Sequence, residues 1–300
     1  IVFICLNENI VGTDAQRTFE SVDFRQIPVT RGSFTKRFIS SLIVNKPAIT
    51  MGIYRPSAVV KLREIIDEHT QTSETQFVGV IEDNVPAIYL SMLKTAYAEM
   101  KWAFKSHDVL HEAFSLFKRK GNPFRRLAWT HEINRIFKLE SDAVKLADIN
   151  WAITKDDLVL SEKCYNTKIN GVFDANIDLN RYDTVKTGTR TNIICLGSAD
   201  SRKGHGIRLF IDKTWTLLLK EHSSKIKLIL GGKGTDAFNS EKTSIKGLGY
   251  IDDEIEFLGT GSIFINPQVA GTGLKLKSLV AMASRKVLVT TKNGARGLGG

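Results

Sequence analysis

The chain predicts an α/β protein of two Rossmann-like domains, and three observations carry that prediction. Short β-branched runs alternate with amphipathic helical stretches through nearly all of the 300 residues. That length exceeds what one hydrophobic core usually holds, about 150 residues per domain being ordinary. The composition, 42% hydrophobic and 25% charged, is that of a globular chain.

Strands are expected at Ile1–Leu6, Phe77–Ile81, Trp102–Lys105, Ile149–Thr154, Asn192–Leu196, Ile226–Leu230, Ser262–Ile265 and Lys286–Thr290. Helix Gly206–Lys220 follows the helical period best, through Ile207, Phe210, Ile211, Thr214, Leu217 and Leu218. A longer helix over Phe124–Leu146 carries Arg125, Arg126, Arg135, Lys138 and Lys145. Alternation of this kind means parallel sheets covered by helices. The polar stretch Arg181–Arg190, with Gly188 and then a fresh strand, marks the domain boundary and gives domains 1–185 and 186–300.

Several classes drop out early. No apolar run is long enough to span a bilayer, and no basic leader precedes Ile1-Val2-Phe3-Ile4-Cys5-Leu6. The opening without Met and the close on Gly297-Leu298-Gly299-Gly300 read as cut ends. Cys5, Cys164 and Cys195 lie far apart and read as buried thiols of a reducing compartment. No Cys/His pair has zinc spacing, so no metal is expected. The net charge of +10 fits an anionic partner (nucleic acid, acidic membrane or phosphorylated ligand), part of it serving only as a solvated surface.

Ligands of open parallel sheets bind beyond the carboxyl ends of the strands, so the strand-to-helix loops matter most. The most informative is Gly271-Thr272-Gly273-Leu274-Lys275-Leu276-Lys277. It follows a strand ending in Asn266-Pro267 and runs into the helical Ser278–Ala283. Glycines let backbone approach an anion, the N–H groups of the first helical turn point at it, and lysines add charge. Gly197-Ser198-Ala199-Asp200-Ser201-Arg202-Lys203-Gly204 offers a second anion seat through Arg202 or Lys203, or else a plain surface turn. Gly231-Gly232-Lys233-Gly234 reads as a flexible turn with a solvated lysine. Tyr250 and Ile251 suit either a wall for a flat base or core packing, and Asn293–Leu298 is a further glycine-containing strand exit.

In the first half, His107 stands where a strand ends, in the pKa range for proton traffic or for hydrogen bonding a neutral substrate. His69, His131 and His222 have no such position. Glu82-Asp83 is the best carboxylate pair there, although helix capping is the commoner use. Lys118-Arg119-Lys120 and the basic helix suit an acidic surface or simple solvation. Serine elbow, paired metal carboxylates, P-loop and dinucleotide fingerprint are all missing. Serial phosphate seats with little acid–base equipment suggest an enzyme handling a diphosphate leaving group.

The order of loops from Asn192 to Leu298 resembles the donor-binding domain of family 4 glycosyltransferases, which have the two-domain GT-B fold. The match runs through Gly197–Gly204, Gly231-Gly232, Gly249-Tyr250-Ile251, Gly271–Ala283 and Gly294–Leu298. It is closest to the branch whose donor loop reads Gly-Thr-Gly before alternating apolar and basic residues. Leu139–Asp148 with Trp151–Asp157 is similar to the segment before the interdomain crossover, and Ser106-His107-Asp108 to the family's His-bearing loop. Before Phe77 the likeness is of fold only.

The resemblance implies two Rossmann-like domains facing across a cleft. It also implies transfer of a sugar from a nucleotide diphosphate sugar with retention, without metal or cofactor. Arg202 or Lys203, Lys277, Lys275 and the backbone of Gly197, Ser198, Gly271, Thr272, Gly273 and Leu274 would hold the diphosphate. Tyr250 and Ile251 would lie near the base, and His107 near the sugar or acceptor. The acceptor is expected to be a glycan or lipid-linked, the setting surface polysaccharide synthesis, and the place cytoplasmic or peripheral on an anionic inner membrane face. One departure stands out: the family's Glu, which holds the donor ribose, is Val280 here, and its companion eight positions earlier is Thr272. Val280 therefore keeps open a non-catalytic GT-B protein that binds a partner or scaffolds an assembly. A nucleic-acid-binding protein draws only on the charge.

Overall fold

All strand pairs among the described residues are parallel; one isolated antiparallel bridge, Ser240 to Ile245, lies outside the strand ladders. The structure, a computed structural model, describes residues 2–7, 22–29, 32–71, 76–115, 122–199, 204–222 and 225–299. It divides into two compact units, Ile1–Phe173 and Asp174–Gly300.

The first unit begins with β1 (Val2–Asn7) and β2 (Asp23–Pro28), which pair with each other. Next come α1 (Phe34–Val44), α2 (Pro56–Thr70), β3 (Val78–Glu82), α3 (Leu90–Ala96) and β4 (Lys101–Ser106). The unit continues through α4 (Leu110–Ser115), α5 (Pro123–Leu146), β5 (Ile149–Ala152), α6 (Lys155–Tyr165) and β6 (Gly171–Val172). Strands β3 to β6 form a four-stranded sheet in sequence order. Local chemistry sets the helix starts. Ser33, Asn122 and Thr154 accept hydrogen bonds from the backbone N–H three residues on, and Pro56 and Pro123 occupy first helical positions. Ile136, Leu139, Ala143 and Val144 of α5 recur at helical spacing and are buried. Arg135 departs from the reading of α5 as a solvated basic face: it is buried, its guanidinium donating to Ser41 Oγ at 3.0 Å.

In the second unit, β7 (Thr189–Leu196) leads to α7 (His205–Phe210), a π-helical turn at Ile211–Trp215, and α8 (Thr216–His222). There follow β8 (Lys227–Gly231), β9 (Ile245–Gly247), α9 (Glu254–Leu258), β10 (Gly261–Asn266), α10 (Leu276–Ala283) and β11 (Val287–Thr290). The sheet order is β11-β10-β7-β8-β9. One core layer gathers Cys195, Trp215, Leu228 and Leu230, and the other Ile194, Phe257, Leu258, Phe264 and Ala281. Buried Tyr182 belongs to this second layer, with Ile177 and Val185 packed against it. Residues from Asp174 on thus group with the second unit, upstream of the polar stretch from which the boundary at 185 was read.

Candidate functional site

The carboxyl ends of β7, β8, β10 and β11 carry the loops that the sequence singled out. Asn266, the last residue of β10, donates from Nδ2 to Ser278 Oγ at 2.8 Å. Ser278 Oγ in turn donates to the Gly294 carbonyl at 2.7 Å. Asn293 Nδ2 reaches the Gly271 carbonyl at 2.8 Å. Three segments are thereby pinned together: the loop after β10, the first turn of α10 and the loop after β11. Neither Asn266, Ser278 nor Asn293 was singled out as a functional residue from sequence.

Within the loop, Gly271 and Gly273 have φ of +117° and +75°, a region that L side chains rarely adopt. Lys275, only 5% exposed, curls back and donates from Nζ to the carbonyls of Thr272 at 2.6 Å and Gly273 at 3.0 Å. A trans peptide places its N–H opposite its C=O, so the amide hydrogens of Gly273 and Leu274 face the other side of the loop. Lys275 is also the N-cap residue of α10 and supplies no side-chain cap. The backbone donors of the helix start therefore stand beside those of the glycine turn. The Lys275 ammonium, expected near a ligand phosphate, lies against the loop's own carbonyls in this structure.

Lys277 goes the other way. It is exposed, and its Nζ lies 2.9 Å from the point that a Cβ on Gly197 would occupy, at the exit of β7. Cys195 is buried two residues before Gly197. Burial pushes its thiol up to about 12, with the nearby Lys277 charge pulling the other way.

The loops after β7, β8 and β9 meet backbone to backbone. Gly197 N–H donates to the Gly231 carbonyl at 2.7 Å and Gly232 N–H to the Gly249 carbonyl at 2.6 Å. A Cβ on Gly232, whose φ is +125°, would lie 2.4 Å from the Gly197 carbonyl oxygen. Thr235 Oγ1 donates to the Gly232 carbonyl at 2.8 Å and receives the Gly249 N–H at 3.1 Å. Gly231–Gly234 is thus a clamped crossing rather than a flexible turn. Ser198 stands in this crossing, its nitrogen 3.2 Å from the same Cβ position. Tyr250 and Ile251 part company: Tyr250 is 76% exposed, while Ile251 packs on the core beside Phe257. Arg202 and Lys203 lie outside the described residues, as do Lys118-Arg119-Lys120.

His107 belongs to the first unit, just past β4. Its Nε2 is 3.0 Å from Glu82 Oε1, and Lys105 Nζ donates to that oxygen at 2.9 Å. Partial burial pushes the Glu82 carboxyl up, but the hydrogen bonds from Lys105 and His107 outweigh it and leave it below its ordinary value. Asn84 Oδ1 holds the His107 N–H at 3.2 Å, while Asn84 Nδ2 donates to Glu140 at 2.6 Å. Glu140, 1% exposed, also accepts the N–H of Leu110 and of His111, plus His111 Nδ1 at 2.8 Å. A buried carboxylate on α5 thus braces the histidine loop from below, a role that its place in a charged helix hid. His111, Glu112 and Cys164 bring ligand-type atoms within 4.8 Å of one another. Burial, with Glu112 and Glu140 nearby, pushes the Cys164 thiol up.

Residues 190–298 match the family model described as glycosyl transferases group 1. The second unit carries a group 1 glycosyltransferase domain. An uncharacterized 44.6 kDa protein of the cps region of Klebsiella pneumoniae is 31% identical to this chain over 105 residues, 31% of this chain. That alignment spans 27% of the Klebsiella protein's length. Solved structures extend the likeness to nearly the whole chain. A UDP-forming trehalose-phosphate synthase from Burkholderia xenovorans matches with a TM-score of 0.59 at 11% identity, covering 98% of this chain and 85% of that one. An E. coli structure described as trehalose-6-phosphate bound with UDP-2-fluoro glucose matches with a TM-score of 0.58 at 11% identity, covering 97% of this chain and 84% of that one. At such identities the likeness is one of fold, and the fold is that of the GT-B glycosyltransferases. No helix among the described residues is long and apolar enough to cross a membrane.

Proposed function

We propose that the chain is a retaining glycosyltransferase that works without a metal, moving a sugar from a nucleotide diphosphate sugar to a glycan or lipid-linked acceptor. The observation that carries this reading is the division of labour between two lysines of the glycosyltransferase domain. Lys275 turns the Gly273 and Leu274 amides outward, and Lys277 sets its ammonium beside Gly197. Fixed dipoles plus one charge suit the developing charge of a departing nucleoside diphosphate. The exposed Tyr250 offers a face to the base, and His107, braced by Asn84 and Glu82, serves the sugar or acceptor. The cps-region relative favours surface polysaccharide synthesis, and the place we propose for it is the cytoplasmic face of a membrane.

Calorimetric titration with UDP, GDP and ADP sugars tests this, and no binding at millimolar concentration overturns it. A second reading rests on Val280, half-buried against the core layer of Phe264 and Ala281 where the family has a ribose-binding Glu. A carboxylate lost there costs about 1.5–3 kcal/mol, one to two decades in affinity. If Val280→Glu gains donor affinity while the wild type transfers no sugar, the protein is a non-catalytic binder or scaffold.

A further inference from the structure

Helix α1 sets Ile39, Leu42 and Ile43 at the spacing of one helical face, and all three are exposed, Ile43 at 79%. Its opposite side faces the protein, where buried Ser41 meets Arg135. The first two turns of α5 expose Phe124 and Leu127. The two helices are neighbours here, since Phe38 shares a groove with Arg125, Ala128 and Trp129. Single apolar side chains on a surface are ordinary, but five of them on two neighbouring helices are not.

Cations border the patch: Lys36, Lys46, Arg125 and Arg126 are exposed. The sequence has no Asp or Glu between Asp23 and Glu64, nor between Glu112 and Glu132. A second copy of the chain fits this face poorly, because self-association would bring like charges together. An anionic bilayer fits it well, apolar side chains entering the headgroup boundary and cations meeting lipid phosphates.

We propose that α1 and the first two turns of α5 dock the protein on an anionic phospholipid membrane. The inference rests on the lipid-linked acceptor proposed above for its purpose, though not for its geometry. The test is flotation of the full chain with vesicles of phosphatidylcholine alone, or with about one-third phosphatidylglycerol. Flotation is expected only with the anionic lipid, and should weaken as salt rises. Ile43→Ser should lower the partition coefficient by about tenfold. Lys36→Ser and Arg125→Ser should each lower it by about fivefold, with unchanged circular dichroism. Equal flotation on neutral vesicles, no flotation, or a dimer in light scattering that Ile43→Ser dissolves would overturn the proposal. UDP titration of the same variants reads the second unit separately, so loss of docking and failure of the donor reading are distinguishable.

Discussion

Gly197→Ala displaces a charge without removing it. Lys277 Nζ stands 2.9 Å from the Cβ that alanine would add, whereas comfortable contact begins near ~3.5 Å. The ammonium must therefore withdraw by roughly half an ångström or more. Because it ends a flexible side chain, the change in folding stability should stay within about 0.5 kcal/mol. If Lys277 contacts a donor phosphate, Lys277→Ala costs about 1.5–3 kcal/mol, one to two decades in Kd. Gly197→Ala should then cost about 0.5–1.5 kcal/mol, the worth of one ordinary hydrogen bond. The double variant decides the matter. With no ammonium left to displace, it should bind no more weakly than Lys277→Ala alone. The assay is titration of UDP into the four proteins, with thermal melting as the control. Losses that multiply in the double variant, or a Lys277→Ala protein that binds like wild type, would refute the reasoning.

Ser278→Ala removes a buried bridge between Asn266 and Gly294, and should lower the stability of the second unit by about 1–3 kcal/mol in calorimetry. Glu82 has a folded pKa below its ordinary value, so its stabilisation is present above the unfolded carboxylate range and lost as pH falls through the folded value. The difference in urea midpoint between wild type and Glu82→Gln should accordingly shrink below about pH 4, and a difference constant from pH 7 downward would contradict this. Cys195, buried with its thiol pushed up to about 12, should escape alkylation at pH 8 (a condition set near the ordinary cysteine range) until the chain unfolds. Peptide mapping that finds it labelled in the native protein would count against the burial described.

Most strands were legible because parallel strands buried on both faces read as plain apolar runs, as Ile193–Leu196 and Leu228–Leu230 do. β2 was missed for the opposite reason. Its Asp23 and Arg25 pair with each other, and Arg25 pairs with Glu68, so the strand shows no apolar run. β6 and β9 are only two and three residues long, too short to leave a periodic signal. The boundary was obscured by one aromatic: Tyr182 sits among polar neighbours, yet it is buried and donates to Glu254 at 3.1 Å. Sequence also made the lysines of Leu-Lys-Leu-Lys look equivalent. Position relative to the helix start separates them, Lys275 standing at the N-cap position of α10 while Lys277 lies inside it.

The ammonium of Lys275 changes what kind of object the glycine turn is. Glycine-rich loops are commonly floppy before their ligand arrives and lose entropy when it does. Here the folded chain provides its own counterion, nearly sealed from water and held on two carbonyls of the turn. The ordering that a ligand would otherwise impose is completed during folding. Arginine at this position would set a bulkier planar fork where one compact ammonium fills a nearly sealed site. The glycines give the turn its shape, and the lysine makes that shape permanent.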